Sequence, residues 1–210
     1  MNVALRVRDH EWTAEAFLAM DQDEFGDLWR YELVDGRVVG QSAPAPDHGA
    51  IMAALAGALI VRMRGRPDGC RPETGSGAVP KSAQRPTARI PDVMIRCGEH
   101  PKVLFEVISP SELTHWRNRD RRRGDYQAVE GVLEIVELYQ SEIACHVYRR
   151  QSNDTWSFEA LDGMDAVLRL DSVGLEIPLS EIYEFADVAR QASQEPTNGE
   201  AQNGPLSDGG

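Results

Sequence analysis

Two acidic residues stand in apolar company within the stretch RIPDVMIRCGEHPKVLFEVISPS, residues 89 to 111. Asp92 opens the run Pro91-Asp92-Val93-Met94-Ile95, and Glu106 lies inside Val103-Leu104-Phe105-Glu106-Val107-Ile108. A carboxylate in such surroundings is costly to bury unless a cation meets it. Two kinds of cation are open to this pair. A divalent ion such as Mg²⁺ is held by one or two carboxylates with waters and substrate phosphate, and it can activate a water for attack on a phosphodiester. An arginine can instead close an ion pair. Arg117, Arg119, Arg121, Arg122 and Arg123 follow Glu106, interleaved with Asp120 and Asp125. They suit phosphate contact beside the acids, or equally a solvated helix face. Trp116 suits stacking on a base, or packing at a helix start.

The elements that must position these residues follow from pattern. Thr13 caps a short helix over 14–20, with Glu15 in its first turn. YELVDGRVVGQ, residues 31–41, reads as a hairpin turning at Asp35-Gly36. Asp47 is the expected N-cap of a helix whose Ile51, Leu55, Leu59 and Met63 form an apolar stripe, ending before Gly65. Residues 65–88 are turn-rich, with room for one short strand over 75–81. Strands are expected over 89–96 and 102–108, a helix over 119–129 closed by Gly131, and a buried strand in VLEIVELY. A β-meander follows, with turns at Asn153-Asp154 and Asp162-Gly163, and LEIPLSEIYEF is the last apolar element. The expectation is one domain over residues 1–190, α/β or α+β with a mixed central sheet flanked by helices, and a disordered tail over 191–210.

Composition narrows the class. The chain has 210 residues and a net charge of −12, which argues against non-specific coating of nucleic acid but leaves room for one basic face. Its longest low-charge stretch, 51–61, is too short to cross a bilayer, and its N-terminus lacks a secretory core, so a soluble cytoplasmic protein without membrane contact is expected. Cys70, Cys97 and Cys145 match neither a zinc spacing nor a disulfide framework and read as reduced buried thiols.

The order helix, three strands, helix, strand, with Pro-Asp at the second strand and Glu inside the third, resembles the core of the PD-(D/E)xK restriction-endonuclease-like superfamily. More narrowly the chain resembles the "putative restriction endonuclease" family known as Uma-two. The resemblance rests on YELVDG at 31–36, APAPDHGAIMAAL at 43–55, RIPDVMI at 89–95, VLFEVISPS at 103–111, DYQAVEGVLEIVEL at 125–138 and VGLEIPLSEIYE at 173–184. It implies a metal-dependent endonuclease acting on DNA with Mg²⁺ or Mn²⁺, and a homodimer as one way to reach two strands. Asp92 and Glu106 match the metal-ligating acids. Glu32 and His48 match positions that would complete the site, Glu32 as a metal ligand and His48 toward substrate. Their plainer readings are a strand-edge acid and an exposed first-turn histidine.

The chain departs from the pattern at the lysine. Ile108 stands where the third motif residue belongs, and Arg122 stands four residues before Tyr126, where the family resemblance places a lysine. The only lysines are Lys81 and Lys102. Lys102 lies four residues from Glu106, too far along a strand at ~3.3 Å per residue to share a water. Arginine offers fixed charge to a phosphate but gives up no proton. The expected catalytic set is therefore Asp92, Glu106 and Arg122, with Arg119, Arg123 and His48 contacting substrate. The alternative is a degenerate nuclease fold serving as a binding module, whose mark would be a closed Arg122–Glu106 pair.

Overall fold

The computed structural model describes residues 3–4, 12–26, 28–81 and 83–192. The chain opens with β1 (Val3–Ala4) and α1 (Ala14–Ala19), where the Thr13 hydroxyl accepts from the Ala16 amide as expected of its cap. A short 3₁₀ turn leads to the hairpin β2 (Arg30–Val34) and β3 (Arg37–Gln41). Asp35 and Gly36 turn it with φ of 50° and 72°, the left-handed pair that a two-residue hairpin requires. Next come α2 (Pro46–Met63), β4 (Cys70–Glu73), β5 (Val93–Cys97) and β6 (His100–Ile108). Two helices follow, α3 (Pro110–Thr114) and α4 (Trp116–Gln127). The remainder is β7 (Glu134–Tyr139), β8 (Ala144–Arg150), β9 (Trp156–Asp162), β10 (Val167–Leu170), β11 (Leu175–Pro178), α5 (Leu179–Ile182) and α6 (Asp187–Ala192).

The central sheet runs β4-β5-β6-β7-β8-β9 and is mixed: β6 and β7 are parallel, and every other neighbour pair is antiparallel. Strand alternation sorts its residues between two layers. Val93, Ile95, Phe105, Val136 and Val147 pack with the α2 stripe Ile51, Leu55, Leu59 and Met63 and with α5. Met94, Leu104 and Ile135 face the other way, against Tyr126 of the crossover helix α4 and Val129 just after it. Truncating a fully buried stripe residue such as Leu55 to alanine would cost about 2–5 kcal/mol. The hairpin forms its own sheet with β1 and its own small core around Phe17, Phe25, Tyr31 and Leu33.

Several expectations are corrected. Asp47 does not cap α2: Ala45 is the N-cap, Pro46 occupies the first turn, and the Asp47 carboxylate accepts instead from the Asp187 amide. The strand expected over 75–81 is at Cys70–Glu73, while Ala78 and Pro80 make only isolated bridges. Pro72 is tolerated there because β4 is an edge strand. The arginine helix begins at Trp116, three residues early, and Pro110–Thr114 forms a separate turn of helix before it. The cysteines are not all reduced. Cys70 and Cys97 are register partners on β4 and β5 and form a disulfide, leaving Cys145 as the free buried thiol. The thiol argument for a cytoplasmic location loses its premise. Among the described residues no helix is long and apolar enough to cross a membrane. Of the tail expected to be disordered from 191, residues 191–192 end helix α6 and 193–210 lie outside the described residues.

Candidate active site

Backbone pairing assembles the site from three places in the chain. Val93 pairs with Phe105 across β5 and β6, so the next step of that register brings Asp92 opposite Glu106. Leu33 bridges Ala88, which carries Glu32 of the hairpin to Arg89 and Ile90, just before Asp92. The first turn of α2 adds His48 from above. Sequence reasoning thus brought together Glu32, His48, Asp92, Glu106 and Arg122, and the fold does so too.

Each acid has named partners. Asp92, 2% exposed, accepts from Arg30 Nη2 at 3.0 Å on Oδ1, and from the Val107 amide at 2.8 Å on Oδ2. His48 Nε2 lies 3.2 Å from the same Oδ2. Glu106, 3% exposed, accepts from Arg122 Nη1 at 3.0 Å on Oε2 and from the Tyr126 hydroxyl on Oε1. Glu32 accepts from Arg89 Nη1 at 3.0 Å and from the Ile90 amide at 2.9 Å. Arg89 also holds Asp125, and Arg122 also donates to Glu112 at 2.9 Å. The Arg122 Nε is buried with no hydrogen-bond partner among the described residues.

Burial and charge push the two central acids apart. Burial raises Asp92, but the His48 hydrogen bond and the Arg30 charge outweigh it and hold the carboxyl down at about 2. Burial dominates at Glu106 and pushes it up to about 8, with Asp92 adding to the rise and Arg122 opposing it. Glu32 ends below the usual carboxylate range, because Arg122, Arg89 and Arg30 together outweigh its burial. Burial works against the charge on Arg122, yet Glu106, Glu32 and Glu112 push its pKa well up, so it stays cationic. Of the pair, Glu106 is thus the one whose protonated form is favoured and Asp92 the one held ionised, with an arginine on each.

The donor chemistry suits a hard divalent cation, since Asp92 and Glu106 offer carboxylate oxygens side by side. Their present bonding does not leave room for one. All four oxygens already accept from arginine, tyrosine, histidine or backbone, and no group of three or more His, Cys, Asp or Glu among the described residues is arranged to hold a metal. A cation would enter only as Arg30 and Arg122 exchange these oxygens for another anion.

Access comes from the Asp92 side. A cavity of about 800 Å³ opens between α1, the hairpin, α2 and the 74–77 loop, with Arg30, Ile90 and Asp92 in its lining. Glu106 is not in that lining; α4 covers it.

The other expected residues fall elsewhere. Arg123 pairs with Glu137 at 3.0 Å and with Asp120, and Arg119 lies 3.8 Å from Glu137, so both turn inward onto a buried acid next in register to Glu106. Arg117 and Arg121 are the exposed members of the cluster. Trp116 is 54% exposed, with the Arg117 guanidinium 5.3 Å from its ring. Lys81 pairs with Glu130 at the surface and takes no part. Sequence reasoning passed over Arg30, Arg89 and Glu112. Arg30 was legible as the residue two before Glu32 on one strand face. Glu112 was legible from Ser109-Pro-Ser-Glu112, a capping box in which the Glu112 carboxylate accepts from the Ser109 amide.

Comparison with known proteins gives a family and a fold. The Uma2 family model, described as "Putative restriction endonuclease", matches residues 14–180. No curated protein matches the sequence. Among solved structures, the chain is similar to a crystal structure of "a putative nuclease belonging to DUF820" from Anabaena variabilis ATCC 29413. The two share 16% identity with a TM-score of 0.63, over 82% of this chain and 98% of that one, a likeness of fold.

Proposed function

The chain belongs to the Uma2 family, and on that premise we propose that it is an endonuclease hydrolysing phosphodiester bonds in DNA, with Mg²⁺ or Mn²⁺ as cofactor. The observation that carries the reading is the juxtaposition of Asp92 and Glu106, one open to the cleft and the other gripped by Arg122. In the resting arrangement the arginines occupy the acids. A phosphate entering the cleft would offer the planar Arg30 guanidinium two oxygens in exchange for Asp92, and Arg122 would reach it only as its grip on Glu106 loosens. Released, Asp92 and ionised Glu106 are the residues that would hold the cation. Bound there, the cation would supply Lewis acidity, polarising a water and offsetting charge on the phosphate. His48 keeps the Asp92 carboxylate oriented from α2, Tyr126 does so for Glu106, and Arg122 stabilises the charge that develops on the phosphate.

The closed Arg122–Glu106 pair favours a second reading, a nuclease fold that binds nucleic acid without cutting it. Melting curves with Mn²⁺, with a cleavage-resistant phosphorothioate oligonucleotide, and with both separate the two. The nuclease reading expects a joint stabilisation larger than the two separate ones, absent in the Asp92→Ala/Glu106→Ala variant. Stabilisation by the oligonucleotide alone, indifferent to Mn²⁺, supports the binding module.

A further inference from the structure

The cleft above Asp92 has walls of an unexpected kind for a protein that handles duplex DNA. Its sides are Leu18, Met20, Trp29 and Met52, and among the described residues lining it Arg30 carries the only positive charge. A duplex presents one negative charge per ~1.7 Å of axis, and proteins that grip it meet those phosphates with several Lys or Arg. One arginine in an apolar wall does not answer that pattern. It answers a single nucleotide, which brings one phosphate and one flat apolar face.

The details of the wall fit such a guest. Trp29, the one aromatic among the described residues lining the cleft, is 61% exposed, a large ring with open area. Exposed aromatic rings are where unpaired bases stack, with little regard to sequence. Arg30, held by Gln41 at 2.8 Å and Asp92 at 3.0 Å, is already oriented at the polar end, one residue along the strand from Trp29. The facing wall is backbone-rich: Thr74, Gly75, Ser76 and Gly77 bring hydroxyls and peptide groups to the opening. A Cβ on Gly77 would lie 2.5 Å from Leu18 Cδ2, so the loop closes on α1 and fixes the width of the cleft. The volume, about 800 Å³, is in the range of small-ligand sites and far below what a duplex needs.

We infer that this cleft receives one unpaired nucleotide, its base on Trp29 and its phosphate on Arg30, so that the preferred substrate is single-stranded or carries an unpaired segment. This deepens the nuclease reading, on which its catalytic meaning rests, but the binding it describes is measurable without any cleavage.

The test is fluorescence anisotropy in EDTA, with a labelled oligothymidylate and with its duplex on oligoadenylate. The single strand is expected to bind at least about 10-fold more tightly than the duplex, and Trp29→Ala to weaken single-strand binding by about 10-fold, with Trp29→Phe retaining most of it. Trp29 is exposed, so these variants should keep the wild-type melting temperature, which is checked alongside. Equal or tighter duplex binding overturns the inference, as does unchanged single-strand affinity in Trp29→Ala. So does concentration-dependent self-association that Trp29→Ala abolishes in the absence of any single-strand preference, which would give the apolar mouth to a second copy of the chain. Cleavage is scored separately. Single-strand preference without Mg²⁺-dependent cleavage keeps this inference and removes the nuclease reading, whereas duplex cleavage indifferent to Trp29→Ala does the reverse.

Discussion

Arg122 Nη1 lies 3.0 Å from Glu106 Oε2 and 2.9 Å from Glu112 Oε1, so one guanidinium ties the buried acid of β6 to the turn of helix that follows it. Glu112 is itself fixed by its capping box with Ser109, so the Arg122 Nη1 is held between two positioned carboxylates. An arginine can hold this bridge and still present its unpartnered Nε to a third anion. A lysine would bring one compact, flexible ammonium and no second nitrogen to offer.

The two central acids impose opposite pH dependences on stability. Glu106 is raised in the fold to about 8, chiefly by burial, above its ordinary 4.5. Between those values the unfolded chain ionises while the folded one keeps its proton, so stability present at low pH is lost as pH rises toward 8. Asp92 is held down at about 2, so its contribution is present above the ordinary 3.8 and is lost as pH falls toward 2. Glutamine mimics the protonated acid. In metal-free buffer the melting temperature of wild type should therefore fall relative to Glu106→Gln between pH 5 and 8, read by calorimetry. Parallel curves for the two proteins would contradict the raised Glu106.

The arginine cluster divides into two groups with different readouts. Arg119 and Arg123 face Glu137, which is 3% exposed and is itself pushed up by burial against their pull. Replacing both by glutamine should leave that acid without its cations and cost on the order of 3–5 kcal/mol in urea denaturation. Arg117 and Arg121 point outward. Their replacement by glutamine should leave stability within ~0.5 kcal/mol but reduce the slope of log affinity for DNA against log salt by ~1.4–1.8. The opposite assignment of effects would place the phosphate contacts on the inner pair.

The Cys70–Cys97 disulfide closes a loop of 27 residues that contains the 74–77 wall of the cleft. By loop entropy it should contribute roughly 3–4 kcal/mol, so Cys97→Ser, or reduction by dithiothreitol, should lower the denaturation midpoint accordingly. No change on reduction would mean that the pair is not joined in solution.

Much of the fold and the site could be read from residue order, for reasons that are local. The turn at Asp35-Gly36 needs left-handed backbone that few other pairs supply, so the hairpin carrying Glu32 announces itself. Asp92 and Glu106 betray themselves by being charged where strand neighbours are apolar. What escaped depends on long-range pairing. β4 is short, holds a proline and is recognisable only beside β5, and the disulfide follows from that register rather than from cysteine spacing. The inward turn of Arg119 and Arg123 depends on Glu137 arriving beneath α4 through the parallel pairing of β6 with β7. Arg30 and Arg89 reach the acids only because Leu33 bridges Ala88.

The most direct test of the central claim is Mg²⁺-dependent cleavage of circular single-stranded DNA and of supercoiled plasmid by four proteins: wild type, Arg122→Lys, Arg122→Ala and Glu106→Gln. Wild type should cut slowly, Arg122→Lys about 10-fold faster, since lysine loosens the grip on Glu106 and can exchange protons, and Arg122→Ala more slowly than wild type. Glu106→Gln should be inactive. Intact DNA with wild type, Arg122→Lys and Glu106→Gln alike would contradict the endonuclease reading and leave a nuclease fold that binds without cutting.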